Sequence, residues 1–115
     1  MSVDRAERIR ELYQGFNDRD LDAVIAAMTP DVDWPNGWHG GRVVGREAVR
    51  TYWERQWLDL RPTITVRSVD LRPDGTVTAR VRLVMRDPAG AVLSRSDVVH
   101  TYTFSGDLVQ KMAAG

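Results

Sequence analysis

Apolar residues change their spacing midway along the chain. From about Asp4 to Phe16 they recur every three or four positions, at Ala6, Ile9, Leu12, Tyr13 and Phe16, which places them on one face of a helix. The polar run Asn17-Asp18-Arg19-Asp20 breaks that pattern, and Asp20 suits the N-cap of a second, short helix. Its stripe is Leu21, Val24, Ile25 and Met28, and Thr29-Pro30 is expected to end it, because a residue before proline is pushed out of the α region. Asp31 to Trp34 reads as a short strand, followed by the turn signal Pro35-Asn36-Gly37. Four glycines between Gly37 and Gly45 suggest a loop or flexible hairpin. A third helix is predicted from Arg46, with Val49, Trp53, Trp57 and Leu60 as its inner ridge, Tyr52 beside it and Pro62 closing it.

Beyond Pro62 the period becomes two. Val77, Ala79, Val81, Leu83 and Met85 alternate with Thr76, Thr78, Arg80, Arg82, Val84 and Arg86, the signature of a half-buried strand. Pro73-Asp74-Gly75 marks a turn, which makes Ile64 to Leu71 the hairpin partner. After the turn at Asp87-Pro88-Ala89-Gly90, the residues Val98, His100, Tyr102 and Phe104 point one way. Ser105-Gly106-Asp107 then leads into a last strand, Leu108 to Met112. Three helices followed by an antiparallel meander of about four strands is an α+β pattern. A strongly curved sheet wrapped over the helices would bury all the stripes together and leave a pocket against its concave face, the usual ligand site in a small domain.

Composition narrows the class. At 115 residues, 43% hydrophobic and 28% charged, the chain is expected to form a single domain spanning residues 1–115 with one core. It has no cysteine, which removes disulfides, thiolate zinc sites and a thiol nucleophile. Sixteen basic residues balance sixteen acidic ones, so no net field favours nucleic acid or an anionic membrane. Residues Met1 to Arg10 carry five charges and no apolar run, unlike a secretion signal, and the expected location is cytoplasmic.

Four local patterns then stand in order along most of the chain: Asp20-Leu21-Asp22-Ala23, Asp31-Val32-Asp33-Trp34-Pro35, Val44-Gly45-Arg46-Glu47-Ala48-Val49, and Tyr102-Thr103-Phe104-Ser105-Gly106-Asp107-Leu108-Val109. Together they resemble the nuclear transport factor 2-like superfamily, in its SnoaL-like and ketosteroid-isomerase-like branch. The resemblance implies a cone-shaped domain with an internal pocket, commonly a homodimer through the outer sheet face. It implies no single chemistry, because isomerases, cyclases, epoxide hydrolases, dehydratases and non-enzymatic binders share the scaffold. Aligned on that branch, a ketosteroid isomerase's tyrosine donor falls on Leu12, its aspartate base on Asn36 and its protonated aspartate on His100. Against limonene epoxide hydrolase-like members, Trp34 replaces a tyrosine, Asn36 matches an asparagine and Arg80 an arginine, while Arg82 and Met112 stand near the two aspartates. Neither family's carboxylates are present at these positions.

The polar candidates that remain are His100, Asn36 and Tyr102 for catalysis, with His100 as acid or base and Asn36 or Tyr102 polarising a substrate oxygen. For His100 two readings stand open: an imidazole working in the pocket, or a core histidine tied to a neighbouring hydroxyl or carbonyl. Trp34, Trp38, Tyr52 and Trp57, with His39 in the glycine-rich segment, are the candidate ligand-binding residues, since large rings suit a flat or cyclic apolar molecule. Asp31 and Asp33 share a strand face without a second ligand cluster, so no metal is expected, and no cofactor. The arginines Arg67, Arg80, Arg82 and Arg86 read as a solvated or dimer-facing sheet surface lacking the interleaved rings that bind single-stranded nucleic acid. The expected function is binding of a small apolar or cyclic ligand, with or without cofactor-free isomerase, cyclase or dehydratase activity. The alternative is a non-catalytic binding or dimerisation module.

Overall fold

The computed structural model describes residues 4–36 and 40–114. Helix α1 (Arg5–Asn17) is capped by Asp4, whose carboxylate accepts the Ala6 N–H at 2.9 Å, and it buries Ile9, Leu12, Tyr13 and Phe16 as the spacing predicts. Arg19 turns the chain in the left-handed region at φ 60°, and Asp20 caps α2 (Leu21–Ala26). Gly15 lets the two helices meet closely, because a Cβ there would lie 3.2 Å from Val24 Cγ2.

The second helix ends at Ala26, earlier than Thr29-Pro30 predicts, and Met28 is the first residue of strand β1 (Met28–Pro35). Pro30 therefore lies within a strand. It is tolerated because the ladder is irregular between Met28 and Asp33, where a missing N–H leaves no regular partner unpaired. The glycine-rich segment returns as β2 (Arg42–Val44), antiparallel to the end of β1. Gly45, at φ 96°, then starts α3 (Arg46–Asp59), which buries Val49, Trp53 and Gln56. Helix α3 stops before Leu60, and β3 (Arg61–Leu71) takes in Pro62 instead of following it.

Strands β3, β4 (Val77–Arg86), β5 (Val92–Ser105) and β6 (Leu108–Ala114) form the expected antiparallel meander. Among the described residues the sheet has six strands in the order β2-β1-β6-β5-β4-β3, and β1 lies parallel to β6. Hydropathy carries no signal for that parallel contact, which joins the first strand to the last. Asn17 covers part of the β3 edge by donating to the Ile64 carbonyl at 2.7 Å and accepting its N–H at 2.9 Å. The helices pack on the inner face, where Val77, Ala79 and Val81 of β4 and Tyr102 of β5 are buried. Arg82 and Asp97 pair across the outer face, 3.2 Å apart and solvent-exposed. Among the described residues no helix is long and apolar enough to cross a membrane.

Candidate functional site

His100 is aimed inward by the period-two pattern of β5, and the sheet register decides what surrounds it. It stands opposite Ala79 on β4 and Ala114 on β6, while Tyr102 stands opposite Val77 and Met112. Small side chains on both flanking strands leave space beside the imidazole. A cavity of about 270 Å³ occupies that region between sheet and helices. Its walls are mostly apolar, with Trp34, Tyr52 and Trp53 among the rings, and the lining residues that carry polar groups include Tyr13, Tyr52, Gln56, His100 and Tyr102. Among the described lining residues there is no carboxylate, lysine or arginine.

A chain of three hydrogen-bonding side chains sits at the base of the cavity. Tyr102 Oη donates to Tyr13 Oη at 2.8 Å, and Tyr13 Oη lies 2.9 Å from His100 Nδ1. Tyr102 is fully buried, and Tyr13 is its one hydroxyl partner among the described residues, so its proton has that single destination. Tyr13 must then place its own proton on His100 Nδ1, since a buried O–H left unmade costs about 1–3 kcal/mol. This direction fixes the tautomer: Nδ1 accepts, and Nε2 carries the imidazole proton. Burial holds His100 neutral by lowering its pKa from 6.5 to about 4. Burial likewise raises the pKa of both tyrosines, more than the bond from Tyr102 lowers that of Tyr13, so neither hydroxyl ionises at neutral pH. The rings reinforce the geometry, with Tyr13 stacked on His100 at 6.1 Å and edge-on to Tyr102 at 6.1 Å.

The ring is thus tied to a hydroxyl through Nδ1 and is among the residues that line the cavity. It is a poor base in this state, because Nδ1 is engaged and Nε2 is protonated. Tyr102 is also among the lining residues, and its hydroxyl donates to Tyr13. Asn36 follows β1, where its backbone bonds Gly40 and Gly41, and it is not among the described residues lining the cavity. Trp34 and Tyr52 line the cavity. Trp57 does not: it stacks on Trp53 at 6.3 Å and lies under the Arg19 guanidinium at 5.1 Å, a layer behind the wall. Trp38 and His39 lie outside the described residues. Asp33 pairs with Arg42 at 2.6 Å, and among the described residues no group of three or more potential metal ligands occurs.

Two lining groups were not singled out by the sequence. Tyr13 reads as part of the α1 stripe, although a tyrosine on a buried face must find a partner for its hydroxyl. Gln56 falls seven residues after Val49 on the α3 ridge, where an amide interrupts an otherwise apolar series.

Comparison with known proteins agrees with this architecture. A Burkholderia pseudomallei protein of unknown function, described as nuclear transport factor 2-like, superposes with a TM-score of 0.83 at 19% identity, covering 98% of this chain and 91% of that one. A Mycobacterium tuberculosis protein in complex with estradiol-17β-hemisuccinate gives 0.81 at 20% identity, over 93% and 88% of the two chains. The epoxide hydrolase/cyclase-like enzyme SalBIII, of pyran ring formation in salinomycin, gives 0.82 at 21% identity, over 96% and 88%. No curated protein matches the chain in sequence. The family pattern described as a SnoaL-like domain matches residues 9–112, nearly the whole α+β unit, and the chain belongs to that family, within the nuclear transport factor 2-like fold.

Proposed function

We propose that this protein binds a small, uncharged, cyclic molecule in the cavity, with His100 Nε2–H donating to an oxygen of the ligand. The observation that carries this reading is a neutral imidazole with Nδ1 already engaged, set in an aromatic cavity whose described lining residues carry no ionised side chain. A charged ligand group would lose its hydration there without a counter-charge. An apolar ring system would gain from displacing water off Trp34 and Trp53. The Mycobacterium tuberculosis protein of the same fold is in complex with a steroid ester, which supports a cyclic frame as the ligand; the free carboxylate of that hemisuccinate sets it apart from the uncharged class proposed here.

A second reading has the site moving a proton, as a cofactor-free isomerase, cyclase or dehydratase. The hydroxyl chain ending at His100 favours it, and SalBIII shows that the fold is compatible with ring-forming chemistry. Burial weighs against it, because passing the Tyr13 proton on would leave a tyrosinate in an apolar interior. Hydrogen-bond donation needs no such ion. Binding is therefore the reading the geometry supports best.

The test uses calorimetric titration with α-tetralone and with tetralin, the same bicycle without the oxygen. The ketone is expected to bind about fivefold tighter than the hydrocarbon, the effect of one neutral hydrogen bond. His100→Phe should remove that preference while both compounds still bind. Equal binding of the two by the unaltered protein, or failure of both to bind, would contradict the proposal.

A further inference from the structure

Gln56 is buried, on α3, and it lines the same cavity as His100. Its Nε2 reaches Tyr52 Oη at 3.4 Å, at the long end of hydrogen bonding, and its Oε1 has no partner among the described residues. A leucine or methionine would continue the ridge of Val49 and Trp53 at lower cost, since an amide kept from water without full hydrogen bonding is destabilising. Oε1 is also not among the fully enclosed polar atoms without a partner, and Gln56 is a lining residue of the cavity. The amide thus offers an acceptor to whatever occupies that space.

Resting on the ligand-binding reading above, we infer that Gln56 is a specificity residue that selects cyclic ligands bearing a hydroxyl in addition to the oxygen held by His100. The two polar groups are complementary in kind. His100 supplies a donor and recognises a carbonyl or ether oxygen. Gln56 supplies an acceptor and recognises an O–H. The ligand class is an uncharged hydroxyketone on a rigid ring frame, or a close equivalent with one acceptor and one donor. An O-methylated analogue meets Oε1 with a second acceptor and loses the bond, so the pair also discriminates a hydroxyl from its methyl ether.

The experiment compares α-tetralone, its ring-hydroxylated isomers and the matching methyl ethers, titrated against the unaltered protein and Gln56→Met. At least one hydroxyl isomer should bind about fivefold or more tighter than α-tetralone, and its methyl ether should not. Gln56→Met should abolish that gain, read as the ratio of the hydroxyl isomer's affinity to that of α-tetralone within the same variant, because methionine keeps the side chain's length and removes its polar atoms. Gln56→Leu serves as the second variant if the methionine form does not fold. A hydroxyl preference that survives either substitution, or no preference in any isomer while α-tetralone binds, overturns the inference and leaves the cavity reading in place. Failure of α-tetralone to bind the unaltered protein overturns both.

Discussion

The β5 wall of the cavity and its α3 wall treat buried polar groups differently. Behind β5, the hydroxyls of Tyr102 and Tyr13 and the Nδ1 of His100 form a closed sequence of donors and acceptors at 2.8–2.9 Å. On α3, the Gln56 amide makes one long contact at 3.4 Å. Satisfied buried networks hold side chains in one geometry, whereas a partly satisfied group is poised to accept a new partner. The first wall fixes the direction of the imidazole donor. The second holds a polar atom in reserve, and the difference separates a residue that orients from a residue that selects.

The strongest way to break this contrast is acid. His100 titrates at about 4 in the folded chain against 6.5 when exposed, so between those values the unfolded state binds more protons. Stability is fully present above pH 6.5 and falls as pH drops toward 4, by about 3 kcal/mol in all. Urea unfolding across that range should show this fall in the unaltered protein and a much shallower one in His100→Phe. The same slope in both would place the acid sensitivity elsewhere.

A smaller effect is expected from Tyr13→Phe. It leaves the Tyr102 hydroxyl without its acceptor and His100 without its donor, at a cost of about 2 kcal/mol. Adding Tyr102→Phe should recover part of that loss, because the orphaned hydroxyl is then gone, and a double-mutant cycle measures the coupling. Additive losses would mean that the hydroxyls do not act as a chain. Gln56→Met, in the same unfolding assay, should change stability by less than about 1 kcal/mol, which sharpens the distinction between the two walls.

Much of this arrangement was legible in the sequence because it depends on local period. Alternation along β5 fixed the inward face of His100 and Tyr102, and helical spacing placed Ile9, Leu12, Tyr13 and Phe16 together. What periodicity cannot carry is the pairing of distant elements. The parallel contact of β1 with β6 joins segments near opposite ends of the chain and leaves no mark in hydropathy. Pro30 reads as a helix stop because its effect on the preceding residue is local, while its acceptance in β1 depends on an irregular ladder set by that distant partner. Trp57 follows Trp53 by one turn and looks equally inward, yet Phe16 and Trp53 take the inner layer and leave it behind them. Asn36 carries turn chemistry and site chemistry in the same amide, which the sequence cannot separate, and its backbone bonds Gly40 and Gly41. The flanking alanines at 79 and 114, which make room beside His100, follow from strand register alone.

The imidazole itself is the most direct place to test the account. Nitrogen-15 NMR of the histidine-labelled protein, followed from neutral to acid pH, reads which ring nitrogen of His100 bears the proton and where it titrates. The structure predicts an Nε2–H tautomer at neutral pH, a midpoint near 4, and a shift of the Nε2 resonance on adding α-tetralone. An Nδ1–H tautomer, or a midpoint near the ordinary 6.5, would contradict it.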